Sequence, residues 1–240
     1  MKVGMEYFAN DGKKVDVVVG NVTYLRHAIK TNFAEIGDSY AGMIEKYVVP
    51  QFQPGDLLFS ASKILSICSK NVINPSTMKV SKLATFLSSK VDRTSAGMGL
   101  SLPLKMQYAL NTAGVPRIFL AAGIGQIGKK LFHKKGWFYT IAGRKVAGID
   151  GFGDAGQSEN NLIGIPLPDN AQQTCDETYA HFGIPLVITD TNDLATVTLA
   201  ASKIVRQTYS KKDLEDFVRD NPYGQGMQCT PFVLVRKATT

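Results

Sequence analysis

Residues 117–136 read RIFLAAGIGQIGKKLFHKKG, and this stretch decides between two folds. Arg117–Ala122 has the apolar run of a strand. Gly123-Ile124-Gly125-Gln126-Ile127-Gly128 then matches G-x-G-x-x-G letter for letter. After a strand, such glycines permit a tight turn and close approach of backbone to a pyrophosphate at a helix N-terminus. A helix beginning at Gln126 would be broken by Lys134-Lys135-Gly136. That is too short for a crossover unit, which needs about 10–12 residues or more. The motif also lies mid-chain, with no strand order around it to form a doubly wound sheet. A lone match of this kind is weak. The stretch therefore reads as a glycine-rich loop packed on a sheet, or as a loop carrying Lys129 and Lys130 to an anion. A nicotinamide site here is the least favoured of three functional readings.

Outward from this stretch, strands and helices alternate irregularly. Lys14–Val19 and Val22–Ile29 alternate as strands, with Gly20-Asn21 as a hairpin turn. Tyr40–Val48 reads as a helix ending before Pro50, and Leu57–Ala61 as a buried strand. Pro75–Val91 reads as one helix capped by Ser76, with Met78, Leu83, Phe86 and Leu87 inward. Leu104–Leu110 reads as another helix, ending before Gly114. Trp137–Ala142 and Lys145–Asp150 read as strands joined at Gly143-Arg144. Ala171, Cys175, Tyr179 and Phe182 mark a helix started by Asp169 or Asn170 and ended by Gly183. Leu186–Thr189 is a short buried strand and Val197–Val205 a helix. Ser210 and Asp213 form a capping box for Lys211–Arg219, and Phe232–Val235 is a last strand. The pattern predicts an α+β fold with mixed sheets and packed helices, not a Rossmann fold. One domain over 1–240 is expected, with room for two interlocked subdomains.

Of the 240 residues, 44% are apolar and 20% charged, an ordinary globular balance that excludes a disordered chain. No stretch approaches the roughly 18 apolar residues of a membrane span, and the N-terminus shows no secretory h-region. Cys68, Cys175 and Cys229 are too widely spaced for a disulfide framework or a zinc pair. Three reduced cysteines and a cytoplasmic protein are the expectation. The net charge of +7 is uneven: residues 57–149 carry 14 Lys/Arg against Asp92 alone, and residues 150–220 carry 12 acids against five bases. The basic middle suits phosphates, nucleic acid or an anionic surface, and the acidic part suits divalent cations. Solvated faces that attract each other within the fold or across a dimer account for the same numbers.

Two aspartates end apolar strands: Asp150 in Val-Ala-Gly-Ile-Asp-Gly, and Asp190 in Val-Ile-Thr-Asp-Thr. A carboxylate at a strand tip is rigidly held yet able to face a cleft. Two converging, with the Thr191 hydroxyl, would make a hard-oxygen site for Mg²⁺ or Mn²⁺ that takes further ligands from nucleotide phosphates. For each aspartate alone, an Asx-turn or a helix cap is the simpler reading. Before the last strand, Asn221–Pro231 contains Gly224 and Gly226, which permit an anion-holding nest, with Gln225 and Gln228 as hydrogen-bonding neighbours. The histidines show no ligand spacing, and Cys175 reads as core.

Several segments together resemble the coenzyme F420-0:γ-glutamyl ligases. Gly55-Asp56-Leu57-Leu58-Phe59-Ser60-Ala61-Ser62-Lys63-Ile64-Leu65-Ser66 is similar to that family's "GD-apolar run-S-K-I-V-S" segment. Ala147–Asp150 resembles its "NAGID", and Gly183–Asn192 its "VxVIITDT" with a polar residue following. Thr230–Arg236 resembles its closing strand, and Ile29–Phe33 sits at its first loop. The resemblance implies an intertwined homodimer with an α+β, non-Rossmann fold. It implies a GTP-dependent ligase joining L-glutamate or another amino acid to an acidic acceptor through an acyl phosphate. Asp150, Asp190 and Thr191 match metal ligands, with Asp150 and Asp190 the residues expected to serve catalysis. Thr31, Asn32, Ser62 and Lys63 match nucleotide contacts, and Gly224, Gln225 and Gly226 the glycine-rich GTP loop. No membrane or nucleic-acid partner is expected.

The chain also departs from that pattern. After Asp190-Thr191-Asn192 it passes directly to Asp193-Leu194-Ala195, without the family's arginine-bearing segment, and Gln225 replaces an acid. A basic stretch at about 90–137 has no counterpart. These departures keep open an alternative from another class, a non-catalytic nucleotide- or polyanion-binding protein on the same scaffold.

Overall fold

A computed structural model describes residues 6–91, 99–131, 137–153, 163–193, 195–224 and 228–238. In chain order the strands are β1 (Asp16–Val19), β2 (Val22–Ile29), β3 (Leu57–Ala61), β4 (Asp150–Gly151), β5 (Gly164–Ile165), β6 (Leu186–Thr191), β7 (Thr196–Ala201) and β8 (Phe232–Lys237). The α-helices are α1 (Tyr40–Met43), α2 (Ser62–Cys68), α3 (Lys82–Ser88), α4 (Pro103–Ala113), α5 (Val115–Leu131), α6 (Trp137–Ala142), α7 (Arg144–Ala147), α8 (Ala171–Phe182), α9 (Lys203–Thr208) and α10 (Lys211–Asp216). They fall into two compact units: residues 1–71 with 168–240, and residues 72–167.

The first unit is built on a mixed six-stranded sheet in the order β1-β2-β8-β3-β6-β7. Only β3 and β6 run parallel; every other pair is antiparallel. The fold is therefore α+β, as the irregular alternation predicts. The central strands read as continuous apolar runs because helices cover both faces. Tyr24, Phe59, Val187, Val233 and Val235 pack with Val205, Leu214 and Phe217. On the other side α2 and α8 lie against β6, and Tyr40 meets Phe232 edge-on at 5.8 Å. The Ser210–Asp213 capping box is present, and Gly183 ends α8 in the left-handed region at φ 67°.

The predicted helix Val197–Val205 is instead β7 followed by α9. Ser202 separates them: its buried hydroxyl donates to Cys175 O (2.9 Å) and accepts from Leu186 N (3.0 Å), tying α8 to β6. Pairing with β6 overrides the helical appearance of Leu199-Ala200-Ala201.

Arg26 on β2 is buried and serves as a hub. It donates to Phe217 O (3.1 Å), Lys14 O (2.6 Å) and Asp220 Oδ2 (2.8 Å). Burial pushes the Asp220 carboxyl up, but the Arg26 hydrogen bond and charge outweigh it and hold the group below its ordinary value. A carboxyl depressed in the folded state stabilises above its unfolded pKa, and the effect is lost as pH falls through the folded value. Urea denaturation of the first unit should show falling stability below about pH 4. Asp220→Asn should flatten that dependence; an unchanged slope would remove Asp220 from the account.

The second unit is largely helical, and here most of the sequence reading is corrected. Pro75–Val91 is not one helix. A 3₁₀ turn, Pro75–Thr77, is capped by Asn74, and α3 is capped by Ser81, whose hydroxyl accepts from Ala84 N at 3.1 Å. Phe86 is exposed rather than inward. Lys145–Asp150 is α7 and then a two-residue strand. Arg117–Ala122 and Trp137–Ala142 are not strands but parts of α5 and α6.

The G-x-G-x-x-G motif thus lies within a helix, not in a loop after a strand. Two of its glycines admit α6: a Cβ on Gly125 would stand 3.1 Å from Phe138 Cβ, and one on Gly128 2.8 Å from the Trp137 ring. Close helix–helix approach explains them without a cofactor. Ile118, Ala121, Met106, Ala109 and Val146 form the core shared by α4, α5 and α7.

Candidate functional site

The strand registers gather one edge of the large sheet. Ile29 and Ser60 both lie opposite Phe232, and Ala61 lies beside Thr189 on the parallel neighbour. The chain leaving β2, β3 and β6 and the chain entering β8 therefore meet at the same end. That edge carries Thr31 and Asn32 after β2, Ser62 and Lys63 at the start of α2, Asp190 and Thr191 at the tip of β6, and Gly224 in the loop before β8. These residues are separated by up to about 190 positions, yet all seven predicted site residues of this unit that are described reach one edge. The carboxyl ends of parallel strands are where open sheets hold ligands. Gln225 and Gly226 lie outside the described residues.

Hydrogen bonds hold these segments in place. Thr31 N donates to Cys229 O (2.9 Å), Asn32 N to the Tyr47 hydroxyl (3.2 Å), and Ala61 N to Pro231 O (2.9 Å). Thr31 Oγ1 donates to Asn32 O at 2.8 Å. Ser62 is buried and Lys63 is exposed.

A buried polar string runs behind this edge. Thr191 Oγ1 donates to Thr189 Oγ1 (3.1 Å), which shares a hydrogen bond with the Tyr223 hydroxyl (2.7 Å). Thr230 Oγ1 donates to Tyr223 O (2.6 Å) and accepts from Asn10 Nδ2 (2.8 Å). Asn10 Nδ2 also donates to Pro222 O at 2.8 Å. Burial pushes the Tyr223 phenol well up, so it stays protonated and serves as a neutral partner. A Cβ on Gly224, at φ 73°, would meet Asn10 Nδ2 at 2.8 Å and Gln228 Oε1 at 1.8 Å. Tyr223 and Thr230 fall inside the loop that the sequence singles out, without being singled out themselves. Asn10 lies 212 residues from Pro222, and no local pattern points to it.

Successive side chains of a strand point to opposite faces. Thr191 shares the Thr189 face, so Asp190 projects from the other. Asp193, three residues on, accepts from Lys13 Nζ and from Asn221 Nδ2, both at 3.3 Å. Asp150 belongs to the second unit, where β4 pairs with β5 and Asp150 Oδ1 accepts from Gly151 N at 2.7 Å. Among the described residues, no three His, Cys, Asp or Glu side chains form a metal-holding group. The donor set at the sheet edge fits one carboxylate ligand, Asp190, with the Thr191 hydroxyl engaged on the opposite face.

Beside the edge lies a cavity of about 430 Å³, lined by Phe8, Asn10, Asp11, Lys30, Thr31, Gln228 and Cys229. Lys30 Nζ stands 4.6 Å over the Phe8 ring. The cavity presents one ammonium, one carboxylate and several hydrogen-bonding groups, a lining suited to a polar, charged ligand.

The chain matches no family model and no curated protein.

Proposed function

We propose that the first unit binds a nucleoside triphosphate with a divalent cation at the edge formed by Thr31, Ser62, Lys63, Asp190 and Gly224, and that the protein is an acid–amino-acid ligase resembling the coenzyme F420-0:γ-glutamyl ligases. The observation that carries this reading is the meeting of those five residues, from four distant segments, at one end of the sheet. Mg²⁺ or Mn²⁺ at Asp190 would neutralise phosphate charge during transfer. Lys63 supplies a further positive charge to phosphate oxygens, while Thr31 and Gly224, whose hydroxyl and amide protons are engaged within the protein, shape the wall beside them. Thr191 has a bracing role, holding the strand tip through Thr189 and Tyr223.

The reaction transfers the γ-phosphoryl group of GTP to an acceptor carboxylate. The amine of glutamate or another amino acid then attacks the acyl carbon and expels phosphate. Such transfer depends on positioning and charge neutralisation more than on a protein nucleophile. A soluble homodimer acting in the cytoplasm belongs to the same reading.

The test is calorimetric titration of GTP and ATP with and without Mn²⁺. Mn²⁺-dependent GTP binding by the wild type, weakened at least about 100-fold in Asp190→Ala, is expected. The non-catalytic alternative is favoured by the arginine-bearing segment that the chain lacks after Asn192. It predicts binding that falls steeply with salt, ignores Mn²⁺ and survives Asp190→Ala; that outcome would overturn the ligase reading.

A further inference from the structure

The second unit carries a helix whose outer face is as apolar as its inner one. On α5, Ile118, Ala121 and Gly128 are buried against the unit's core. A residue on the opposite side of such a helix should be polar. Instead the exposed positions from Val115 to Gly123 are Val115, Pro116, Arg117, Phe119, Leu120 and Gly123, with Arg117 the one polar side chain among them. Phe119 is 50% exposed and Leu120 58%. Gly123 has open space around it, so packing within the unit does not explain it. Acids are absent from α5, and residues 72–167 hold twelve Lys/Arg against four Asp/Glu, a net of +8.

We propose that this face of α5 docks on an anionic lipid surface, with Phe119 and Leu120 entering the headgroup boundary and the unit's net positive charge, Arg117 on the same helix included, drawing it to lipid phosphates and carboxylates. No described helix is long and apolar enough to cross a membrane. Lying on one requires only an apolar face flanked by positive charge. Charge selects the occupant. A second copy meeting this face with the same unit would bring +8 against +8, and its first unit, at a net of −1, offers little attraction, whereas an anionic leaflet attracts basic surfaces within a Debye length. Val115, Phe119 and Leu120 together suit acyl chains, whereas a nucleic acid could stack on Phe119 alone of these three. This inference stands apart from the nucleotide site, which lies in the other unit.

The experiment is co-sedimentation of the whole chain with phosphatidylcholine vesicles, with or without about 30 mol% phosphatidylserine. Binding to the serine-containing vesicles alone is expected, weakened several-fold as salt rises. Phe119→Asp with Leu120→Asp should reduce it at least about 10-fold. Leu120→Gln alone should give an intermediate loss with an unaltered unfolding midpoint, which separates docking from folding. Absence of binding, equal binding to both vesicles, or full binding by the double variant would overturn the proposal. So would a wild-type dimer that the double variant converts to monomer without any vesicle binding, since the face would then belong to a second copy.

Discussion

Gly151→Ala is expected to unfold the second unit at markedly lower denaturant, with a loss of at least about 4 kcal/mol. Gly151 sits at φ 82°, and a Cβ there would stand 1.9 Å from Ile163 O. That carbonyl is the acceptor for Phe152 N at 2.9 Å, so the added methyl must break the β4–β5 pairing. Relaxation is blocked from the other side. Phe152 is itself at φ 57° and buried, and its ring would lie 2.2 Å from a Cβ on Gly164. The protein has a single tryptophan, Trp137, and it lies in this unit. Its fluorescence therefore follows the second unit by itself. Gly123→Ala is the control: helical, with open space around it, it should stabilise the same transition by about 1 kcal/mol. A Gly151→Ala transition at the wild-type midpoint would show that the turn yields freely.

The second large effect is expected at Asp56. This carboxylate, 1% exposed, takes a two-point bond from Arg236, Nε to Oδ1 at 2.7 Å and Nη2 to Oδ2 at 2.6 Å. It also accepts from Gln53 N at 2.9 Å, closing the turn that leads into β3. Asp56→Ala leaves a guanidinium largely buried without its partner, a change that costs about 3–5 kcal/mol. Urea denaturation followed by far-ultraviolet circular dichroism should show the loss. Removing both charges in Asp56→Ala with Arg236→Met should cost less than Asp56→Ala alone. Equal losses would mean that the turn, not the ion pair, is what Asp56 supports. Asp56 enters β3 at the end away from Ser62, so nucleotide binding at about 10 °C should survive in the folded fraction.

The first unit was legible because its sequence signals are local. Gly20-Asn21 sets a hairpin, Gly183 stops a helix, Ser210 and Asp213 cap another, and Leu57–Ala61 and Phe232–Val235 are apolar runs of strand length. The second unit misleads for a physical reason. Ile118-Phe119-Leu120 and Trp137-Phe138-Tyr139 are apolar without alternation, and such runs do not separate a strand from a helix. Packing of α6 into the notch at Gly125 and Gly128 decides for helix, although glycine and aromatic residues disfavour it locally. Site residues divide in the same way. Thr31, Ser62 and Asp190 stand out beside recognisable strand ends, and the register brings them together. Asn10 and Tyr223 act through hydrogen bonds spanning up to 220 positions, which no window along the chain contains.

The strand order has a consequence for the birth of the protein. β8 follows every other strand in the chain, yet it lies between β2 and β3 in the middle of the sheet. On the ribosome, the β1–β2 hairpin and the β3–β6–β7 group emerge as two fragments with facing open edges, and they stay apart until the closing strand is made. Residues 72–167 emerge whole in the meantime. The nascent chain thus exposes unpaired strand edges for most of its synthesis, the state in which sheets are captured by wrong partners. The Ser62 and Asp190 segments meet when β6 pairs with β3, and the Thr31 segment joins them only when β8 is in place.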